Sequence, residues 1–194
     1  MPYDAMNDCS DDMLLAAYAA GDPAAARALT ARLGPRAFAH AMRMLRDRAE
    51  AEDVAQEALL RLWRAAPGWR AGEAKVSTWL YRVVSNLCID RIRRRRGGHL
   101  DICDVPEPED PAPSVEQDLQ QGARGRALDE ALGSLPERQK QAVVLRHLEG
   151  LSNPEIADIM EIGVRAVESL TARGRKTLEG LLAPRRDELG YDDD

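Results

Sequence analysis

Phenylalanine occurs once in this 194-residue chain, and aromatic residues make up only 4% of it. Cysteine is nearly as scarce, with Cys9, Cys88 and Cys103 alone. Three thiols at irregular spacing support no disulfide framework and fit a reducing compartment, so a cytoplasmic protein is expected. No uncharged apolar run approaches the roughly 18 residues of a membrane-spanning helix, and no membrane insertion is expected. Met1–Asp12 holds four Asp and no basic residue, which speaks against a secretory leader.

His99, Cys103 and Cys88 lack a fourth ligand and a ligand spacing, so neither a metal nor any other cofactor is expected. His40, His99 and His147 stand in unrelated contexts, with no Ser or Asp arranged to form a nucleophile and base. No glycine-rich turn follows a strand, and no convincing period-two run exists. An enzyme with a small-molecule substrate is therefore not expected.

Charge is plentiful and segregated. The net charge is −6, which taken alone disfavours a nucleic-acid partner. Residues 1–96 nevertheless hold 16 Lys/Arg against 12 Asp/Glu, residues 97–123 hold none against 7, and residues 124–194 hold 11 against 14. A polyanion responds to the local patch and not to the total.

Periodicity predicts an all-α protein. An Ala-rich stretch from Asp12 to Arg32 reads as one helix or two short ones broken near Gly21–Pro23. Gly34-Pro35 marks a further break, and a second stretch runs from Arg36 to Leu45 with Phe38, Ala41, Met42 and Leu45 on one stripe. Asp47 is a start signal for a third helix, Arg48–Ala65, with Ala51, Val54, Ala55, Ala58, Leu59, Leu62 and Trp63 inward. Pro67-Gly68 ends it, a loop follows over Trp69–Lys75, and a fourth helix spans Ser77–Arg95 with Leu80, Val83, Val84, Leu87 and Ile92 inward. Cys88 is expected to be a small core residue.

Four prolines and seven unopposed acids then mark residues 97–123 as an acidic, extended linker. It divides the chain into a first domain, 1–96, and a second, 124–194. In the second, Ala127, Leu128, Ala131 and Leu132 form a face, and Pro136 opens a helix carrying Ala142, Val143 and Leu145. Ser152 and Glu155 form a capping-box pattern around Pro154. The apolar positions Ile156, Ala157, Ile159 and Met160 follow, and then a last helix, Val164–Leu182, with Val164, Val167, Thr171, Leu178 and Leu181 inward. Two short helices with a Gly-containing connection make a helix-turn-helix by spacing.

Three surfaces carry chemistry. Arg91, Arg93, Arg94, Arg95 and Arg96 crowd one helix end, as a solubilising terminus or as a phosphate-binding patch. Trp79, Tyr81, Arg82 and Asn86 lie upstream on the same helix and can stack on unpaired bases and bond their edges, although Trp79 equally suits the core. Glu50, Asp53 and Glu57, with Gln56, share one side of the third helix. They are either relieved internally by Arg46, Arg61 and Arg64 or form a docking face for a basic partner. Arg165, Glu168, Ser169, Arg173, Arg175 and Lys176 stand on the exposed side of the last helix. Its first turn can enter a major groove while later basic groups hold phosphates.

The run Ala51-Glu52-Asp53-Val54-Ala55-Gln56-Glu57-Ala58-Leu59-Leu60-Arg61-Leu62-Trp63 resembles the second conserved region of bacterial RNA polymerase sigma factors. These belong to the sigma-70 family, extracytoplasmic-function type. Ser77-Thr78-Trp79-Leu80-Tyr81-Arg82-Val83-Val84-Ser85-Asn86, Asp90-Arg91-Ile92-Arg93-Arg94-Arg95-Arg96 and Leu135-Pro136-Glu137-Arg138-Gln139 match the same group in the same order. The resemblance implies that core RNA polymerase is a partner, through the clamp helices of its largest subunit and the flap of the other large subunit. Glu50, Asp53, Gln56 and Glu57 lie on the face that would dock on the clamp.

It further implies that the fourth helix and the loop Arg70–Lys75 read and melt the minus-ten element of promoter DNA, with Asn86 at a base-recognition position. The second domain would read the minus-thirty-five element, the linker would thread a basic channel, and an anti-sigma protein would be a further partner. Many members carry a basic residue at the position of Glu168 and Arg at that of Leu170. Two other readings stay open: a sigma-like DNA-binding regulator acting without polymerase, and an adaptor that sequesters an anti-sigma protein.

Overall fold

Eight α-helices order the computed structural model, which describes residues 9–72, 74–97 and 117–185. They are α1 (Asp11–Ala19), α2 (Pro23–Leu45), α3 (Arg48–Ala65), α4 (Val76–Gly97), α5 (Gln117–Gly133), α6 (Glu137–Val143), α7 (Asn153–Met160) and α8 (Val164–Leu182). Each boundary has a local cause. Ser10 caps α1 by accepting from the Met13 N–H, Asp22 caps α2 ahead of Pro23, and Asp47 caps α3 by accepting from the Glu50 N–H. Such side-chain acceptors satisfy N–H groups that a helix leaves open at its start. The capping box at Ser152 and Glu155 forms as its spacing predicts.

α1 to α4 make one cluster. Its core is built of Leu14, Leu15, Leu29, Leu33, Ala37, Met44, Val54, Ala58, Leu62, Leu80 and Val84. The expected inward face of α3 holds, with Ala51, Val54, Ala55, Ala58 and Leu62 buried and Leu59 and Trp63 half-buried. Cys88 is buried, and burial pushes its thiol up to about 12, so it is an inert core group. Small alanines let the helices approach closely, which is how a core with one phenylalanine closes.

The break expected at Gly34-Pro35 is absent: α2 runs unbroken through both residues. A proline inside a helix costs about 3 kcal/mol. Here Pro35 and Ala31, whose carbonyl loses its partner, both lie on the exposed side. Leu29, Leu33, Ala37, His40 and Ala41 bury the opposite side, and this burial outweighs the local cost. Phe38 and Met42, expected inward, are only half-buried.

α5 to α8 form the second cluster, α7 and α8 being the two helices of the helix-turn-helix. α5 starts at Gln117, inside the stretch read as linker. The prolines stop at Pro113, and Gln and Leu then favour a helix. The remaining linker positions, 98–116, lie outside the described residues. Pro136 stands just before α6, which runs into a single wider turn, Val144–Leu148, closed by a bond from the Glu149 N–H to the Val144 carbonyl.

Two inward assignments on α8 are corrected. Val164 and Leu181 are exposed, Val164 as the first residue of the helix and Leu181 because its neighbour Leu182 is the one turned onto the core, whereas Val167 and Leu178 are buried and Thr171 half-buried. Gly174, at which no inward role was expected, is buried where α8 crosses α6. A Cβ there would stand 2.6 Å from Val143 Cγ2 and 3.3 Å from the Gln139 carbonyl oxygen. Gly174→Ala is expected to lower the stability of this cluster by about 1–3 kcal/mol despite alanine's better helix propensity, since a stiff valine must move. Differential scanning calorimetry checks it.

Candidate functional site

Three charged faces emerge from this packing. On α3, Asp53 and Gln56 are exposed, as is Leu60 one turn further on at 48%. Glu57 is bridged to Arg61 at 2.8 Å, which holds its carboxyl below the usual range. Glu50 is bridged at 2.9 Å by Arg95, which also reaches Asp47 at 3.0 Å. The acidic face is thus partly relieved from within, by Arg61 as considered and by Arg95 from α4. Asp53 and Gln56 remain presented on its outer side. Leu60 was overlooked as a surface residue. Its signal is phase, since it lies opposite the buried Ala58 and Leu62.

The arginine cluster sorts into distinct roles. Arg93 and Arg94 are exposed, Arg91 is half-buried, and Arg95 clasps the start of α3. The side chain of Arg96 lies outside the described residues. Upstream, Arg82, Asn86 and Arg93 fall on one stripe of α4. Asn86 is exposed and lines a cavity of about 520 Å³ together with Ile89, Asp90, Arg93 and, from the second cluster, Glu137 and Gln141. Trp79 is half-buried at the core edge. It packs edge-on against Trp69 at 6.0 Å, and the Trp69 Nε1–H donates to Asp12 at 2.9 Å, pinning the start of the loop that carries Arg70 and Lys75. Gly72 turns that loop with φ of +90°, a conformation that favours glycine.

The third face is the outer side of α8, where Arg165, Glu168, Ser169, Arg173, Arg175 and Lys176 are all exposed. Arg175 pairs with Glu179 at 3.2 Å, an exposed link of small worth. Leu170 is half-buried against the core of α6 and α7, so its place in the helix is explained by packing.

The two clusters also meet, chiefly through α4 and α7. Tyr81 of α4 is buried to 5% exposure among Leu145, Ile156, Ile159, Met160 and Val167 of the second cluster. Its hydroxyl donates to Glu149 Oε2 at 2.6 Å, and Arg43 donates to Oε1 of the same carboxylate at 2.8 Å. Burial and the Glu149 charge both push the Tyr81 phenol upward, so it stays protonated and donating. Lys75 donates to Glu155 at 2.7 Å, and Arg82 donates to the Asp158 carbonyl at 2.6 Å. Lys75 and the Ser152 hydroxyl together hold the Glu155 carboxyl near 2.

At the end of α2, buried Lys140 donates to the Met44 carbonyl at 2.8 Å, where a cation complements the helix dipole. Burial, with Arg46 nearby, lowers the Lys140 ammonium to about 8. His40 is fully buried, its Nε2 2.9 Å from Ser85 Oγ. Burial, and then Arg43, lowers its imidazole to about 3. It is neutral, so the 4.0 Å approach of its Nδ1 to Glu149 is no ion pair.

Lys75 and Arg82, expected to face nucleic acid, are therefore engaged by the second cluster in this packing. Glu149 and Tyr81 are the interface residues that periodicity did not reveal. No helix among the described residues is long and apolar enough to cross a membrane.

Comparison with known proteins accords with this layout. The family described as Sigma-70 region 2 matches residues 29–97, and that described as Sigma-70, region 4 matches residues 125–178. The chain is 36% identical over 152 residues to the ECF RNA polymerase sigma factor SigE of Mycolicibacterium smegmatis, covering 76% of this chain and 58% of that protein. It is 33% identical over 152 residues to the ECF RNA polymerase sigma factor SigW of Bacillus subtilis, covering 70% of this chain and 77% of that one. Thus it spans little more than half the length of the M. smegmatis relative. The solved structure of CnrH in complex with the cytosolic domain of CnrY aligns with a TM-score of 0.66 at 26% identity, over 90% of this chain and 97% of CnrH.

Proposed function

Because this chain belongs to the extracytoplasmic-function group of RNA polymerase sigma factors, we propose that its charged faces divide the work of promoter recognition and opening. A factor of this group directs core polymerase to promoters and is itself no enzyme. The residues before the linker form the unit that binds core and melts DNA. The residues from Gln117 onward form the unit that reads the upstream element.

The outer face of α3, with Asp53 and Gln56 and with Glu50 and Glu57 beside them, docks on the clamp helices of the largest polymerase subunit. The α4 stripe Arg82, Asn86 and Arg93, with Arg91, Arg94 and the loop from Arg70 to Lys75, takes the melted minus-ten strand. Trp79 and Arg95 shape that surface from behind. On α8, Arg165, Glu168 and Ser169 meet the minus-thirty-five duplex, while Arg173, Arg175 and Lys176 hold its phosphates. The second cluster docks on the flap, and an anti-sigma protein competes for these same surfaces.

The observation that carries this reading is the pairing of opposite chemistries on adjacent helices. An acidic and amide face on α3, with Asp53 and Gln56 exposed, stands beside an arginine and amide stripe on α4, whose Asn86 and Arg93 are exposed while Arg82 is held by the Asp158 carbonyl. Such an arrangement grips a protein partner and a polyanion at once.

Strand opening breaks stacking, at a cost of a few kcal/mol per step, and a side-chain amide on an unpaired base edge returns about 1–3 kcal/mol. Asn86→Ala is therefore expected to slow promoter opening by about tenfold or more, read by permanganate reactivity of unpaired thymines. Binding to core polymerase should stay unchanged. Loss of core binding in parallel, or opening at the original rate, would refute the assignment of Asn86 to bases.

A further inference from the structure

Three donors on the face of the first cluster, Lys75, Tyr81 and Arg82, meet three oxygens of the second. These are the Glu155 carboxylate at 2.7 Å, the Glu149 carboxylate at 2.6 Å and the Asp158 carbonyl at 2.6 Å. Each donor is a group that would otherwise contact a nucleic-acid strand: an ammonium and a guanidinium for phosphates, a phenol ring for stacking. Each acceptor offers an anionic or dipolar oxygen, as a phosphate does. Tyr81 cannot stack on a base while its ring is buried among Ile156, Ile159 and Met160. Asn86, though exposed, faces a cavity walled on the far side by Glu137, Arg138 and Gln141. The basic residues of α8, by contrast, stay open to solvent.

From this asymmetry we infer that the segment Glu149–Asp158 is an internal stand-in for the DNA backbone. It covers the strand-binding face of α4, so that single-stranded DNA and the second cluster are mutually exclusive partners of one surface. The inference rests on the reading of α4 as the strand-binding helix. In the closed packing the chain can present α8 to duplex but cannot hold a melted strand. Release requires the two clusters to part. The coupling follows from population: a face available in only a tenth of molecules binds about tenfold more weakly in apparent terms.

Glu149 is the point at which to break the clasp. Its side chain is 7% exposed in the closed packing and receives both Arg43 and Tyr81. Glu149→Lys sets a cation against Arg43 there, whereas in the parted state it faces water. Glu52→Lys makes the same charge change at an exposed position of α3, away from the clasp and the basic faces, and serves as the control. Glu155→Gln is a second variant, dropping the charge that faces Lys75 while keeping an acceptor for the Ser152 N–H. Full-length proteins are compared by small-angle X-ray scattering and by anisotropy with a labelled single-stranded 20-mer of random sequence.

The expected result is a larger radius of gyration and roughly tenfold tighter strand binding for Glu149→Lys than for Glu52→Lys. Glu155→Gln should move both readouts the same way by less. If the unaltered chain already scatters as two separated bodies, or if Glu149→Lys changes neither readout, the clasp is overturned and the proposed function is untouched. If Glu149→Lys expands the protein but binds the strand no better than Glu52→Lys, α4 is not the strand-binding face. The stand-in then falls together with that part of the proposed function.

Discussion

Asp53→Arg should abolish productive binding to core polymerase while leaving the protein folded. Asp53 is exposed on α3 and makes no packing contribution that its loss would undo. An arginine there lies one turn from both Glu50 and Glu57, so the helix itself gains favourable neighbours. The effect is felt across the interface. Reversing one partner of a desolvated charge pair costs about 2–5 kcal/mol or more, roughly a thirtyfold to several-thousandfold loss of affinity. Surface plasmon resonance with immobilised core enzyme, alongside thermal melting of the variant, separates this from unfolding. Unaltered affinity would move the docking face elsewhere on the first cluster.

The second large effect is on salt dependence. Arg93 and Arg94 are exposed, whereas Arg95 is committed to Asp47 and Glu50. Each phosphate neutralised contributes about 0.7–0.9 to the slope of log affinity against log salt. The double variant Arg93→Ala, Arg94→Ala is expected to reduce that slope by about 1.4–1.8 for polymerase holoenzyme on a pre-melted promoter fork. Affinity near physiological salt should fall about tenfold or more. Arg95→Ala should leave the slope nearly intact and instead loosen the junction of α3 and α4. Equal slopes for all three proteins would mean that the cluster serves solubility.

Where the chain's punctuation is unambiguous, its structure was readable in advance. Asp47 before Arg48, the recurrence of small apolar residues through Leu62, and Pro67-Gly68 after Ala65 bound α3 as observed. The capping box at Ser152 likewise placed α7. Gly34-Pro35 misled because a local breaker is outweighed when its unpaired carbonyl can face water and its flanks bury deeply. Leu181 misled because two adjacent leucines leave the phase at the helix end open, and it is Leu182 that packs on the core; Val164 misled because a helix's first residue need not be covered.

The contact between the clusters was not legible at all. Tyr81 lies three residues before Val84 and seven before Cys88, so its phase points to the first core and gives no sign of the second. Glu149 is a lone acid beside a glycine. Their meeting depends on how two finished surfaces dock, a property that no local spacing encodes. The faces on α3 and α8 were legible because charge spacing along one helix is a local quantity. Which arginine pairs with which acid depends on the neighbouring helix, and so Arg95 was indistinguishable in sequence from Arg94.

The most direct measurement is transcription by purified core polymerase from a pool of randomised promoters, with and without this chain, read by sequencing the transcripts. Addition of the chain should create initiation at a fixed distance downstream of one enriched pair of elements, and these starts should vanish with Asp53→Arg. Transcripts indistinguishable from those of core enzyme alone would contradict the account.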